Sequence, residues 1–241
     1  MTIFGYIKKF ILIFLKYASL VLFSLVAIIP LVSCVITAFK TDAEYNSTNV
    51  MTPPSSWLYF ENFVSAFKKA GMGRAFINST IILIAVLILS VFIGTQLAYV
   101  LNRFQFFGNT LIRNLFLVAC QLPGVAMQIA VYEMMYKLGF INNMFGYILM
   151  TCGTDVISIY IYIQFFENID YSLDESAIMD GASYFTIFYK ILLPLLKPAI
   201  VTACILKGVG TYNEYYNANL YLQDKKRYAT VATSLYTFVG P

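Results

Sequence analysis

The chain has 241 residues, of which 60% are apolar, 17% aromatic and only 12% charged; soluble domains run near 45–50% apolar and about 25% charged, so an ordinary soluble domain is excluded. The net charge of +4 is spread along the chain, with no Lys/Arg cluster dense enough for a nucleic-acid surface. Histidine is absent, which removes Ser-His-Asp and Cys-His catalysis, HExxH metal sites and histidine proton shuttles together.

A helix needs about 20 mainly apolar residues to cross a bilayer, and five segments qualify. The first, 17–39, follows Lys8, Lys9 and Lys16 and is interrupted only by Pro30. Its apolar run is too long for a cleaved signal peptide and lacks a small-x-small exit site, so it reads as an uncleaved anchor. A proline-stiffened turn at 52–57 leads to Trp57, Tyr59 and Phe60, aromatics of the kind that favour the bilayer interface, and a short interfacial helix is expected over 61–70. The second span, 75–101, is the cleanest. The third, 114–132, contains Gln121, Pro123, Gly124 and Gln128; the fourth, 141–166, carries Asn142, Asn143 and Asp155; the fifth, 191–209, carries Pro194, Lys197 and Pro198 near its start. The expectation is an all-α integral membrane protein with a single domain over 1–241. Cys34, Cys120, Cys152 and Cys204 fall in or beside apolar stretches without CxxC spacing and read as small hydrophobes.

The most informative segment is the loop 171–194. Ser172 followed by Glu175 fits a capping box, which predicts a helix from Leu173. Asp174 and Glu175 then sit in its first turn, where the macrodipole favours negative charge. Gly181 can take the left-handed conformation that closes a helix, and Ser183 can cap a second helix running toward Leu193 and Pro194. The product is helix–glycine–helix, with small residues Ala177 and Ala182 beside acidic Glu175 and Asp180. On this chemistry alone, an ordinary hydrated interfacial loop fits as well as a docking element.

Glu175-Ser176-Ala177, then Asp180-Gly181-Ala182, then Ile191-Leu192-Leu193-Pro194 resemble the EAA loop of bacterial ABC-importer permeases. Ser176 stands where that motif usually has alanine, and serine is nearly as small. Asn78-Ser79, the run from Ala98 to Arg103, the run from Lys137 to Asn142, and Tyr212-Asn213-Glu214 resemble the carbohydrate branch, the maltose-system G-type permeases.

The resemblance implies a type I importer permease bundle, not an enzyme, in a bacterial cytoplasmic membrane. It implies that Glu175, Ser176, Ala177, Asp180, Gly181 and Pro194 form a coupling helix seated in a cleft of an ATPase. The expected partners are a second homologous permease subunit, a pair of ATP-binding-cassette ATPases, an extracellular solute-binding protein and membrane lipid, with no nucleic acid. No cofactor is expected in this chain. It has no G-x-x-x-x-G-K-[ST] loop, Gly71-Met-Gly-Arg-Ala being too short, so ATP is expected on the partner ATPase. Lysines and arginines flank the first span almost evenly, so the cytoplasmic N-terminus follows from the resemblance rather than from charge. Permeases of this kind continue into a sixth span; this chain stops at Gly240-Pro241, so five spans are expected with the sixth missing.

Polar groups at membrane depth are costly and mark either helix–helix hydrogen bonds or a hydrated path. Gln96, Gln121, Gln128, Asp155 and Gln164 are such groups, and Gln121, Gln128, Asn213 and Glu214 are the candidates for a translocation path. Tyr212, Tyr215, Tyr216 and Tyr221 read as interfacial anchors, with sugar stacking as the sharper alternative. A secondary carrier, or a fragment of one, is the competing function; it would need mid-membrane ion-coupling groups, for which only Asp155 qualifies. No residue reads out a particular sugar.

Overall fold

A computed structural model describes the backbone of residues 3–122, 124–153, 155–236 and 238. Pro123, Gly240 and Pro241, on which expectations above fall, lie outside the described residues, as does the side chain of Cys120. Every regular element among the described residues is helical. The chain divides into two compact units, Met1–Lys69 and Ala70–Pro241.

The first unit contains α1 (Ile3–Ala38), α2 (Asp42–Ser47) and α3 (Glu61–Lys69). α1 begins upstream of the expected span and carries Pro30 inside it. Thr41 and Glu44 form a reciprocal capping box at the start of α2. The expected interfacial helix exists as α3, where Asn62 donates to the carbonyls of Ala38, the last residue of α1, and of Lys40 just beyond it. Phe39 packs its ring against Trp57, Phe60 and Phe63, with centroids at 5.6, 5.6 and 5.2 Å.

The second unit is organised by α4 (Met72–Arg103), which packs against α8, α7 and α12. The unit also contains α5 (Asn109–Gln121), α6 (Gly124–Lys137), α7 (Met144–Gly153), α8 (Val156–Glu167) and α9 (Ser172–Met179). After α10 (Tyr184–Thr186) come a π-helical segment (Ile187–Leu192), α11 (Leu193–Leu195) and α12 (Lys197–Asn213). The chain ends in the short helices α13 (Tyr216–Tyr221), α14 (Lys225–Tyr228) and α15 (Val231–Tyr236). α4 and α8 approach closely because Gly94 offers no Cβ; one there would lie 3.0 Å from Cε2 of buried Tyr162.

Two helices among the described residues are long and apolar enough to cross a bilayer unbroken, Lys9–Ala38 and Met72–Arg103. The other expected spans are interrupted. Segment 114–132 is divided between α5 and α6, whose break includes Leu122. Segment 141–166 is divided between α7 and α8, and Asp155 is the N-cap of the second, accepting from the Ser158 amide at 3.4 Å. The helix expected to stop at Pro194 continues to Leu195, and the chain then turns by 71° into α12. The π segment shows how proline is accommodated. A proline removes an i→i−4 bond and its ring crowds the preceding turn; here the ladder has already widened, with the Leu193 amide donating to Phe188.

Candidate functional site: the α9 loop

The α9 loop is built mostly by local chemistry, with one correction. Ser172 does not cap α9. The Asp170 carboxylate accepts from the Ser172 amide at 2.9 Å, and the helix starts at Ser172, one residue earlier than expected. An Asx turn satisfies the first free amide and competes successfully with the Ser172–Glu175 box. That amide also holds the Asp170 carboxyl below its usual range.

The far end follows expectation. Gly181 sits at φ +81°. Its amide bonds the Ile178 carbonyl and the Ala182 amide bonds the Ala177 carbonyl, both at 2.9 Å. These two bonds make a Schellman closure, which requires a left-handed residue at that place. Two residues on, the Ser183 hydroxyl accepts from the Thr186 amide at 3.3 Å and caps α10.

This closure divides the helix into two faces. Glu175, Ser176, Asp180 and Gly181 are exposed, together with Ile178 and Met179. Ala177 and Asp174 are buried at 7% and 3% exposure. Ala177 therefore packs into the bundle, and the outward face is a mixed one of small, acidic and apolar groups. Pro194 is exposed on the return arm.

Asp174 turns inward onto Arg103, the last residue of α4. The two approach to 3.2 Å with side chains only 4% and 8% exposed. Arg103 also donates to the Ile169 carbonyl at 2.9 Å and lies over the Tyr171 ring at 5.5 Å. Burial pushes the Asp174 carboxyl above the usual carboxylate range, while the Arg103 charge works in the opposite direction. Sequence reasoning quoted Arg103 only as part of a resemblance and gave Asp174 only a dipole role. Nothing local to either residue could have paired them.

Of the four candidate path residues, Gln128 and Glu214 come together and Gln121 and Asn213 do not join them. Gln128 donates to Asn217 at 3.3 Å and to the Tyr221 hydroxyl at 3.0 Å. Glu214 accepts from the Asn217 amide at 3.0 Å, so Gln128 and Glu214 meet through Asn217. Gln121 is exposed elsewhere, and Asn213 bonds back to the Val209 carbonyl of its own helix at 3.0 Å. Tyr221, read above as an interfacial anchor, is instead fully buried, its ring 5.9 Å from Tyr132. Tyr215 stacks on Tyr236 at 3.7 Å. An apolar cavity of about 340 Å³ lies beside α4, the π segment and α12. Its Thr95 and Gln96 side chains bond their own helix at Val91 and Phe92, so it offers little to a polyol, which needs convergent polar groups.

Residues 87–234 match the family described as the binding-protein-dependent transport system inner membrane component, a match that covers well over half of the chain and all of the α9 loop. The chain belongs to that family. As an inner membrane component it is part of a transport system rather than an enzyme. It is 28% identical over 202 residues to the diacetylchitobiose uptake system permease protein NgcG of Streptomyces coelicolor, covering 83% of this chain and 66% of that protein. It is 28% identical over 227 residues to the maltodextrin transport system permease protein MalD of Streptococcus pneumoniae, covering 94% of this chain and 80% of that one. The fold is that of a solved bacterial ABC transporter involved in import of the acidic polysaccharide alginate, with a TM-score of 0.83 at 22% identity over 94% of this chain and 79% of the other. This inner membrane component thus spans just under two thirds of the length of the first of these relatives.

Proposed function

We propose that this chain is a transmembrane subunit of an ATP-driven carbohydrate importer, and that the α9 loop docks into a separate ATPase. Family membership supports the transport role, and relatives described as serving diacetylchitobiose and maltodextrin uptake support an oligosaccharide as cargo. The observation that carries the docking reading is the division of α9 into a bundle-facing side and an exposed side closed by Gly181. A short helix rigidified at both ends loses little entropy on entering a groove.

In this reading Glu175, Ser176 and Asp180 face the ATPase, Ala177 seats the helix on its own bundle, and Pro194 stiffens the return arm. The loop and the N-terminus lie in the cytoplasm. A second permease subunit, an ATPase pair and an extracellular solute-binding protein complete the assembly, ATP is bound by the ATPases, and this chain carries no cofactor. ATP-driven closure of the ATPases moves α9, and the helices packed on it rock between outward and inward access.

Gly181→Val tests the docking. A Cβ at Gly181 meets no atom within 4 Å, so the expected penalty is that of the left-handed backbone, about 1–2 kcal/mol. The expected result is normal membrane insertion with ATP hydrolysis no longer linked to oligosaccharide uptake. Uptake at the wild-type rate in that variant sinks the docking assignment. Calorimetric titration of the cognate binding protein with maltodextrins and diacetylchitobiose tests the cargo.

A further inference from the structure

We infer that Arg103 is a positioning residue that locks α9 to the end of α4, so that movement of the docking loop is passed directly to the longest helix of its unit. This rests on the docking reading above.

The grip has two parts. The Arg103 guanidinium holds the entering arm at three points, the Ile169 carbonyl at 2.9 Å, the Asp174 carboxylate at 3.2 Å and the Tyr171 ring at 5.5 Å. These partners precede or open α9, and none lies on its exposed Glu175–Ser176 face. The returning arm is held by aromatic rings around the same helix end. Tyr99, one turn before Arg103, lies 5.0 Å from Phe188 of the π segment, and Phe104, the residue after Arg103, lies 5.2 Å from Tyr184 of α10. Both arms of the loop therefore close on the last turn of α4.

Arginine suits this place better than lysine. One guanidinium nitrogen, Nη2, meets both the Asp174 carboxylate and the Ile169 carbonyl while the flat group lies over the Tyr171 ring; an ammonium keeps the charge and loses the planar face. A buried ion pair adds little net stability but fixes one arrangement, and one arrangement is what a mechanical link requires. A push on α9 then displaces α4, and with it α7, α8 and α12, which pack on that helix.

The test uses the whole complex, with both permeases, the ATPases and the binding protein, in proteoliposomes. The cargo is maltotriose or diacetylchitobiose, whichever the binding protein retains. Arg103→Lys and Asp174→Asn are compared with wild type for solute carried per ATP hydrolysed, each normalised to assembled complex. The expected result is normal ATP hydrolysis with about a tenfold fall in solute per ATP for Arg103→Lys, within the usual span of coupling between sites, and a smaller fall for Asp174→Asn. A purely structural role would lower uptake and hydrolysis in proportion and leave the ratio unchanged. If Arg103→Lys reduces assembly, the ratio in Asp174→Asn decides. An unchanged ratio in the Arg103 and Asp174 variants, with Gly181→Val uncoupled, overturns this inference alone; an unchanged ratio in all three overturns the docking reading as well.

Discussion

The two ends of α4 are fastened by different chemistry. Near its start, Asn78 donates to the carbonyls of Arg227 and Ala229 at 3.0 and 2.9 Å, the Ser79 hydroxyl accepts from the Val231 amide at 2.9 Å, and Arg74 reaches the Lys226 carbonyl. These bonds strap the α14–α15 segment along the helix, mostly through neutral groups on backbone. At its finish, Arg103 is paired with a buried carboxylate. Neutral hydrogen bonds are replaceable one at a time, each worth about 0.5–1.5 kcal/mol net. A buried charge pair is all or nothing, because either partner left alone carries its whole desolvation cost.

That contrast is broken most severely at Arg103. Arg103→Met leaves Asp174 buried without its cation and should cost about 3–5 kcal/mol, read as a fall in the melting temperature of the detergent-solubilised complex. Burial raises the Asp174 carboxyl, so the folded chain binds that proton more tightly than the unfolded chain does. The stability contributed by this group is therefore fully present below the unfolded carboxylate value of about 4 and is lost as pH rises through the raised folded value. The Arg103→Met penalty should accordingly shrink in acid, and Asp174→Asn should remove that slope between acid and neutral pH. A pH-independent penalty would place its origin in packing rather than charge.

Asn78→Ala comes next. It leaves two carbonyls short of a donor, at about 1–3 kcal/mol, and should loosen the α14–α15 segment without altering solute carried per ATP. Limited proteolysis within 224–236 reads the loosening, and a change in the coupling ratio would show that the two ends of α4 are not separable. The smallest effect belongs to Arg113, which meets Glu167 at 2.8 Å with side chains 34% and 51% exposed. Arg113→Gln should cost under about 1 kcal/mol in the same melt, as exposed pairs do. A larger loss there would mean that distance rather than burial ranks the ion pairs of this protein.

The Gly181 closure and the Ser183 cap were legible in the sequence because each needs only residues within a turn of itself. The capping box failed at the same range: Ser172–Glu175 was readable, but Asp170 two residues earlier offered the amide a closer partner. Asn78-Ser79 enter the sequence analysis only through a resemblance, and Asn142 through that resemblance and as a polar residue of the fourth expected span. The structure gives them work, with Asn142 accepting from the Asp224 amide at 2.8 Å and donating its own amide to the Tyr221 carbonyl at 2.8 Å. Tyr221 was misread because aromatic chemistry is the same in an interfacial belt and in a core, and only its neighbours tell which.

The sequence by itself determined that the chain is helical and apolar enough for a membrane, that α4 runs unbroken, and that a short helix closes at Gly181. Those outcomes depend on composition, on periodic apolar runs and on backbone conformations that particular residues permit. Only the tertiary structure decided where the other apolar runs bend, which side of α9 is left outward, and that Asp174 faces Arg103. Those depend on contacts between residues far apart in the chain, and the orientation of a side chain on a helix is settled by the partner it finds across the bundle.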